Sequence, residues 1–435
     1  MAGGLPGLRE INIVLSMTFA RDTQFRKFCA YGFFKNLIFF EPFLILFLLD
    51  AKLNYTEIGL LIGFQMITQN ILEIPAGILA DSMGRRRTLM ASLLFYIAAF
   101  VFFFLSYSIF GFTAAMFLFA LGEALRTGTH KAMIFDYLKI HGWHNEKVAY
   151  YGITRAWSQR GSAVSALLAA WFVIVTHNYR MIFLLSVIPY LLDFILISSY
   201  PKFLDGSKSG FHPSEIRLNY NRNMHEFFYS FKKPVLLKTT INNSIFSGYY
   251  KGVKDFLQPI LAALALTIPV MTSYSDEQRS ALVVGVVYFL VYQATSYASR
   301  KASAFSKKTQ NLQQALALSL GAGLLAGIIS GLAYYAGYPA LAVAFYIIIY
   351  LLENLRKPIA ISETANQLET DIMATVLSTA SQFETLFSAL FSAMLGVIAD
   401  HFGLGIAIAS VSLLVLVSAP LYLIRNNKAV ISNVA

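Results

Sequence analysis

Residues 77–89 read GILADSMGRRRTL, an acid, two glycines and three consecutive arginines set between strongly apolar runs. Arginine does not partition into hydrocarbon, so this stretch marks a place where the chain turns in water between two membrane crossings. The flanking runs begin near Thr56 and Thr88. Each is about 20 residues long, the length that carries a helix across a core of roughly 30 Å. Composition extends the reading to the whole chain: 57% of its 435 residues are hydrophobic and 13% charged, with 37 Phe and 24 Tyr. A soluble protein has no interior large enough for that apolar content. The expected fold is all-α, a polytopic membrane protein.

Apolar runs bounded by charge or turn residues predict about twelve spans. They start near Lys27, Thr56, Thr88, Gly111, Gly152, Met181, Asn243, Arg279, Gln313, Pro339, Asp371 and Leu404. The even-numbered loops and both termini carry most of the Lys and Arg outside the spans, Arg85–Arg87 among them, whereas the opposite side shows little beyond Lys52, Arg180 and Arg279. The positive-inside rule then places both termini in the cytoplasm, as expected of a multi-pass protein of the cell (inner) membrane. The expected organisation is a cytoplasmic N-terminus with an interfacial helix (1–26), a six-helix bundle (27–199), a cytoplasmic central loop (200–233), a second six-helix bundle (234–424) and a cytoplasmic tail (425–435). The net charge of +11 is spread over many loops. That distribution favours anionic membrane lipid as a partner and argues against nucleic acid.

The chain repeats itself six spans on. FFEPFLILFLL at Phe39 returns as FLQPILAALAL at Phe256, SQRGSAVSALLAAW at Ser158 as SQFETLFSALFSAM at Ser381, and EALR at Glu123 as ENLR at Glu353. Three matches in consistent order predict two pseudo-symmetric six-helix bundles.

With this duplication the sequence resembles the major facilitator superfamily. The family signature between its second and third spans (glycine, any residue, leucine, alanine, aspartate, base, any residue, glycine, base, base) is filled by Gly77, Leu79, Ala80, Asp81, Gly84, Arg85 and Arg86, with Ser82 departing at the first basic position. EIPAG from Glu73 and TGTHKAMIFDYL from Thr127 are similar to one bacterial branch containing efflux members, although His130 and Lys131 stand where that branch often carries acid. The resemblance implies a twelve-helix transporter fold, a cavity between spans 1, 4, 7 and 10, and a cytoplasmic latch at Gly77, Asp81, Gly84, Arg85 and Arg86 that holds the outward-open state. The span 5 region GSAVSALLAAW lacks the proline of the antiporter branches, which weakens the case for export. Physically, Gly77 is expected to admit a neighbouring helix, Gly84 to turn the chain, and Asp81 to accept hydrogen bonds from a helix N-terminus, while the arginines pair with acid on the other half.

Ionisable groups within spans are costly unless they face a cavity or a partner, so they outline a path. The candidates for the solute or proton pathway are Asn36, Glu41, Glu73, Glu123, Arg126, His130, Arg155 and Gln159 in the first half, and Lys254, Asp255, Gln258, Glu353, Arg356 and Glu384 in the second. Glu123 and Arg126 share a helical face, and Glu353 and Arg356 repeat the arrangement, so each pair is expected either to neutralise itself as an intrahelical ion pair or to handle solute or proton through one of its members. Glu41 and Gln258 precede Pro42 and Pro259, where helices bend and leave carbonyls free. Asp193, in span 6, is expected to pack or pair locally.

The function expected is secondary transport of a small solute by alternating access, coupled to protons through carboxylates such as Glu41, Glu73, Glu123 and Glu384, in a monomer without a cofactor. The alternatives are a membrane-embedded enzyme or a flippase for a lipid-linked substrate. An enzyme requires a catalytic or metal cluster, and the single Cys29, the seven scattered histidines and the lack of HExxH or GxSxG offer neither.

Overall fold

The computed structural model describes residues 19–143, 146–205, 218, 221, 234–269, 272–309, 311–367 and 370–422. The interfacial helix expected before Arg21, the central loop beyond Asp205 and the tail from Arg425 lie outside the described residues. What is described is helical, with no strand.

Span 1 is broken in two: α1 (Thr23–Lys35), a 3-10 turn at Glu41–Phe43, and α2 (Leu44–Asp50). Then follow α3 (Tyr55–Met83), α4 (Arg85–Leu105), α5 (Ile109–Arg126) continued as α6 (Thr129–Ile140), α7 (Lys147–Thr176) and α8 (Met181–Ser198). The second half repeats the plan. It has a broken span, α9 (Pro234–Val253), a 3-10 turn at Lys254–Phe256 and α10 (Leu257–Thr267); then α11 (Asp276–Ser306), α12 (Leu312–Tyr335), α13 (Pro339–Gln367), α14 (Thr370–Phe402), α15 (Leu404–Val417) and α16 (Ala419–Tyr422). Among the described residues nine helices are long and apolar enough to cross a membrane. The expected spans 1, 2 and 7 are not among them, for two reasons. Pro42 and Pro259 sit at the breaks that shorten the first and seventh, and Gln65, Gln69, Asn70 and Glu73 make α3 polar.

Local chemistry sets the helix starts. Asn54 and Glu57 form a capping box at the head of α3, and Ser275 and Gln278 form another at the head of α11, its counterpart in the second half. The two arginines on the sparsely charged face close helix ends. Arg180 donates to the Phe104 carbonyl at 2.7 Å near the end of α4, and Arg279 to the Ile268 carbonyl at 3.0 Å after α10. Both are caps as well as topology signals.

Packing shows the duplication directly. In the first half α1 packs on α7, α3 on α5, and α4 on α5 and α8; in the second α9 packs on α14, α11 on α13, and α12 on α13 and α15. The halves meet through α3 with α14 and α7 with α11, pairs that a two-fold axis exchanges. The phenylalanine excess fills the bundle interiors: Phe40 and Phe183 stack at 4.8 Å, and Phe103 stacks on Phe183 at the same distance. Phe110, Trp171, Leu105 and Val417 stay exposed, as lipid-facing positions do.

The halves are sealed at the face opposite Arg85–Arg87. A Cβ on Gly59 would lie 2.4 Å from the Ser392 carbonyl oxygen, and one on Gly396 2.2 Å from that of Tyr55, so α3 and α14 touch backbone to backbone. The amides of Tyr55 and Thr56 donate to Asp400 at 2.9 and 2.8 Å. On the other side of the axis, Gln278 donates to the Ile174 carbonyl at 2.8 Å. The cavity lies on the basic side of this seal.

Candidate functional site

The break in span 1 brings α1, α5, α6 and α7 around a cavity of about 280 Å³. Lys35, Arg126, His130 and Arg155 line it, with Asn36, Gln159, Thr154 and Ser158 between them. Glu123 ion-pairs with Arg126 and lies 3.7 Å from the Lys35 ammonium; Arg126 also donates to the Tyr96 hydroxyl at 3.0 Å. These side chains are only 12–26% exposed. Tyr31 stacks on the His130 ring at 3.9 Å, and the Tyr200 hydroxyl lies 3.5 Å from its Nε2. Asn36 donates to the Gly32 carbonyl at 2.7 Å, and the Tyr190 hydroxyl to that of Lys35 at 3.0 Å, so side chains take up carbonyls that the interrupted helix frees.

The two breaks meet at the centre. Gln258, fully buried, donates to the Glu41 carbonyl at 2.9 Å and accepts from the Ile45 amide at 2.8 Å, bridging residues 217 apart in sequence. Lys254 lies 3.3 Å from the Glu41 carboxylate and 3.4 Å from Asp255. Tyr346 and Tyr350, one turn apart on α13, donate to the Val253 carbonyl at 2.5 Å and the Lys254 carbonyl at 2.6 Å. These two tyrosines were not among the sequence-derived residues. Their i, i+4 spacing on a span otherwise rich in Ile and Leu is the signal that points to them.

Further toward the basic face, Lys251 pairs with Glu384 at 2.6 Å. Glu353 and Arg356 do not form the expected pair. Glu353 accepts from the Ser247 hydroxyl at 2.7 Å, and Arg356 donates to the carbonyls of Leu316 and Asn242 and lies over the Phe246 ring at 5.4 Å. One residue holds α9 to α13 and the other ties α13 to α9 and α12, because three residues of helix rotation point them at different neighbours. Asp193 is buried, and neither of its carboxylate oxygens has a hydrogen-bond partner among the described residues.

The opening motif stands differently from its sequence reading. Gly84 has a φ of +99°, the left-handed geometry that a turn between α3 and α4 requires. The residue that accepts from the head of α4 is Asp205, bonded to the Arg86 amide at 3.0 Å; Asp81 is 61% exposed and lies 3.6 Å from Arg85. Arg85 pairs with Asp136, and Arg86 donates to the carbonyls of Ser198 and Tyr200 at 3.3 and 3.0 Å. Asp136 and Ser198 belong to the first half, and Tyr200 and Asp205 to the turn that follows it, so among the described residues these contacts do not reach acid on the other half. Nor does Gly77 admit a helix, since open space surrounds it. Asp205 escaped the sequence reading because it lies outside the spans, in the short KFLD turn.

Two broken spans facing each other across a two-fold axis, with polar side chains gathered at the breaks, form a transporter interior rather than a catalytic centre. The sequence matches the family model of the Major Facilitator Superfamily over residues 27–353. The chain belongs to this superfamily. No curated protein matches it. Among solved structures, the superfamily fold is shared with the nucleoside transporter NupG, at TM-score 0.73 and 11% identity over 92% of this chain and 98% of that one. A POT family transporter in complex with a thioalcohol-conjugated peptide gives TM-score 0.66 and 16% identity over 91% and 95% of the two chains, and the peptide transporter POT in complex with sulfate gives 0.65 and 15% over 92% and 94%. Within the superfamily fold of this chain, Asn36, Arg126, His130, Arg155 and Gln159 line one cavity with Glu123 paired to Arg126 behind its wall, and Glu41, Lys254, Asp255 and Gln258 gather where the two breaks meet. Glu384 pairs with Lys251. Glu353 and Arg356 stand apart within helix packing.

Proposed function

We propose that the protein is a proton-coupled secondary transporter that moves a small solute by alternating access, its twelve spans forming two rocking halves, 27–199 and 234–424, joined by the cytoplasmic segment 200–233. The observation that carries the reading is the one-sided seal. Backbone contact at Gly59 and Gly396 closes one face while the polar cavity lies toward the other. The positive-inside distribution makes the open face cytoplasmic, so this arrangement is inward-facing. Relatives in fold transport nucleosides and peptides, which supports a small-solute cargo.

Coupling is assigned to carboxylates that hold a cation by an exchangeable contact. Lys254 bridges the halves to Glu41, and Lys251 pairs with Glu384 of its own half. Protonation of either acid releases the lysine and changes the balance between the two states, since only groups with different partners in each state bias the exchange.

Reconstituted protein in liposomes, loaded with a solute panel and subjected to an imposed pH gradient, tests the reading. Saturable flux that rises with the gradient is expected, together with loss of the gradient dependence in Glu41→Gln and Glu384→Gln. Flux indifferent to pH in the parental protein removes the proton, and absence of flux for every solute removes the transport reading.

A further inference from the structure

The charge in the first-half cavity is not balanced. Lys35 and Arg126 share one carboxylate, Glu123, and no Asp or Glu lines the cavity among the described residues, whereas Arg155 and Lys131 line it together with them. Arg155 has no hydrogen-bond or ion-pair partner among the described residues. Lys131 rests over the rings of Phe135 and Tyr151 at 5.5 and 5.6 Å, a contact that leaves its charge uncompensated. The second half differs: Lys251 is matched by Glu384, and Lys254 lies between Glu41 and Asp255. Nearly equal totals of acid and base in the spans hide this asymmetry, which exists only once the helices are packed.

Arg155 and Lys131 present open hydrogen-bond donors to this cavity, and a negative solute entering it gains charge-assisted hydrogen bonds, the guanidinium being suited to planar two-oxygen contacts. Next to these donors the wall is aromatic, with Tyr31 stacked on His130 and Tyr151 nearby. We propose, resting on the transport reading above, that this cavity binds a small organic oxyanion, a carboxylate or phosphate on a flat or apolar body, with Arg155 as its primary charge partner and Arg126 and Lys35 behind it. At about 280 Å³ the cavity suits a metabolite-sized molecule rather than a drug-sized one.

The test measures thermal stabilisation of the purified protein by matched sets: benzoate with benzamide and benzylamine, succinate with succinamide, and glucose 6-phosphate with glucose. The same compounds are then followed in proteoliposome flux. The expected result is a concentration-dependent rise in melting temperature with at least one oxyanion and none with its neutral or cationic counterpart; which set responds tells carboxylate from phosphate. Arg155→Gln, a substitution at an exposed position, is expected to weaken that binding by about tenfold or more, the worth of one charge-assisted contact, without changing the melting temperature of the free protein. Arg160→Gln, whose side chain lies over the Trp157 ring and outside the cavity lining, is expected to bind as the parental protein does. The proposal is overturned if no oxyanion stabilises more than its neutral counterpart, or if Arg155→Gln binds unchanged. Oxyanions that bind without saturable flux leave this proposal standing and remove the transport reading. Saturable flux of a neutral or cationic member with inert oxyanions does the reverse.

Discussion

At the scale of single residues, Glu123 holds the most interdependent position in the first half, because two buried cations depend on it. Glu123→Gln strands both Lys35 and Arg126, while Arg126→Gln leaves Glu123 with Lys35. Removing one partner of a buried pair destabilises by roughly 3–5 kcal/mol, so thermal unfolding in detergent should show Glu123→Gln to be the more damaging of the two. A double-mutant cycle separates the two halves. Glu123 and Arg126 touch, and a coupling of about 0.5–3 kcal/mol is expected; Glu353 and Arg356 bond to different helices, and their coupling should be the smaller of the two. Equal couplings in the two cycles would show that the different partners at Glu353 and Arg356 carry no energetic consequence. Gly84→Val meets two obstacles at once, a positive φ and the Asp205 side chain 3.0 Å from the new Cβ. It is expected to lower stability by about 1–3 kcal/mol as well as to impair exchange between states, whereas Asp81→Asn, at an exposed carboxylate, should leave the melting temperature unchanged.

At the scale of elements, α3 with α14 and α7 with α11 form the contact surfaces between the two halves, and small residues set how close α3 and α14 come. Gly59→Val pushes a side chain into the Ser392 carbonyl, and the relief available without unfolding is separation of α3 from α14 at the sealed face. A cysteine placed at Ser392, in a background with Cys29 replaced by serine, should then react with a membrane-impermeant maleimide added from the side opposite Arg85–Arg87; it is buried in the parental arrangement. Unchanged labelling would mean that the seal is not held by this contact. The broken elements follow the same logic of local release and long-range capture. Proline predicts that α1–α2 and α9–α10 are interrupted, since the ring removes a donor wherever it stands. That Tyr190, Tyr346, Tyr350 and Gln258 take up the freed groups depends on other helices arriving at the right rotation, and no local pattern carries that.

At the scale of the whole molecule, orientation is testable from described positions alone. A cysteine at Lys307 should be labelled only from the cytoplasm and one at Tyr338, 65% exposed beyond the end of α12, only from outside; the opposite pattern would invert the topology and with it the inward-facing assignment. The amino-acid sequence by itself determined the helical class, most span positions, the duplication and the turn at Gly84. Each of these follows from hydrophobic length, from proline and glycine backbone chemistry, or from repetition along the chain. Tertiary structure alone decided which charges meet: Lys35 with Glu123, Asp205 with the head of α4, Arg356 with carbonyls instead of Glu353. It also decided which face is closed and that Lys35, Arg126, Lys131 and Arg155 line one cavity. The physical reason is that an apolar helix in lipid has no strong amphipathic signature to fix its rotation, so the facing of each polar side chain is set by its packing partners.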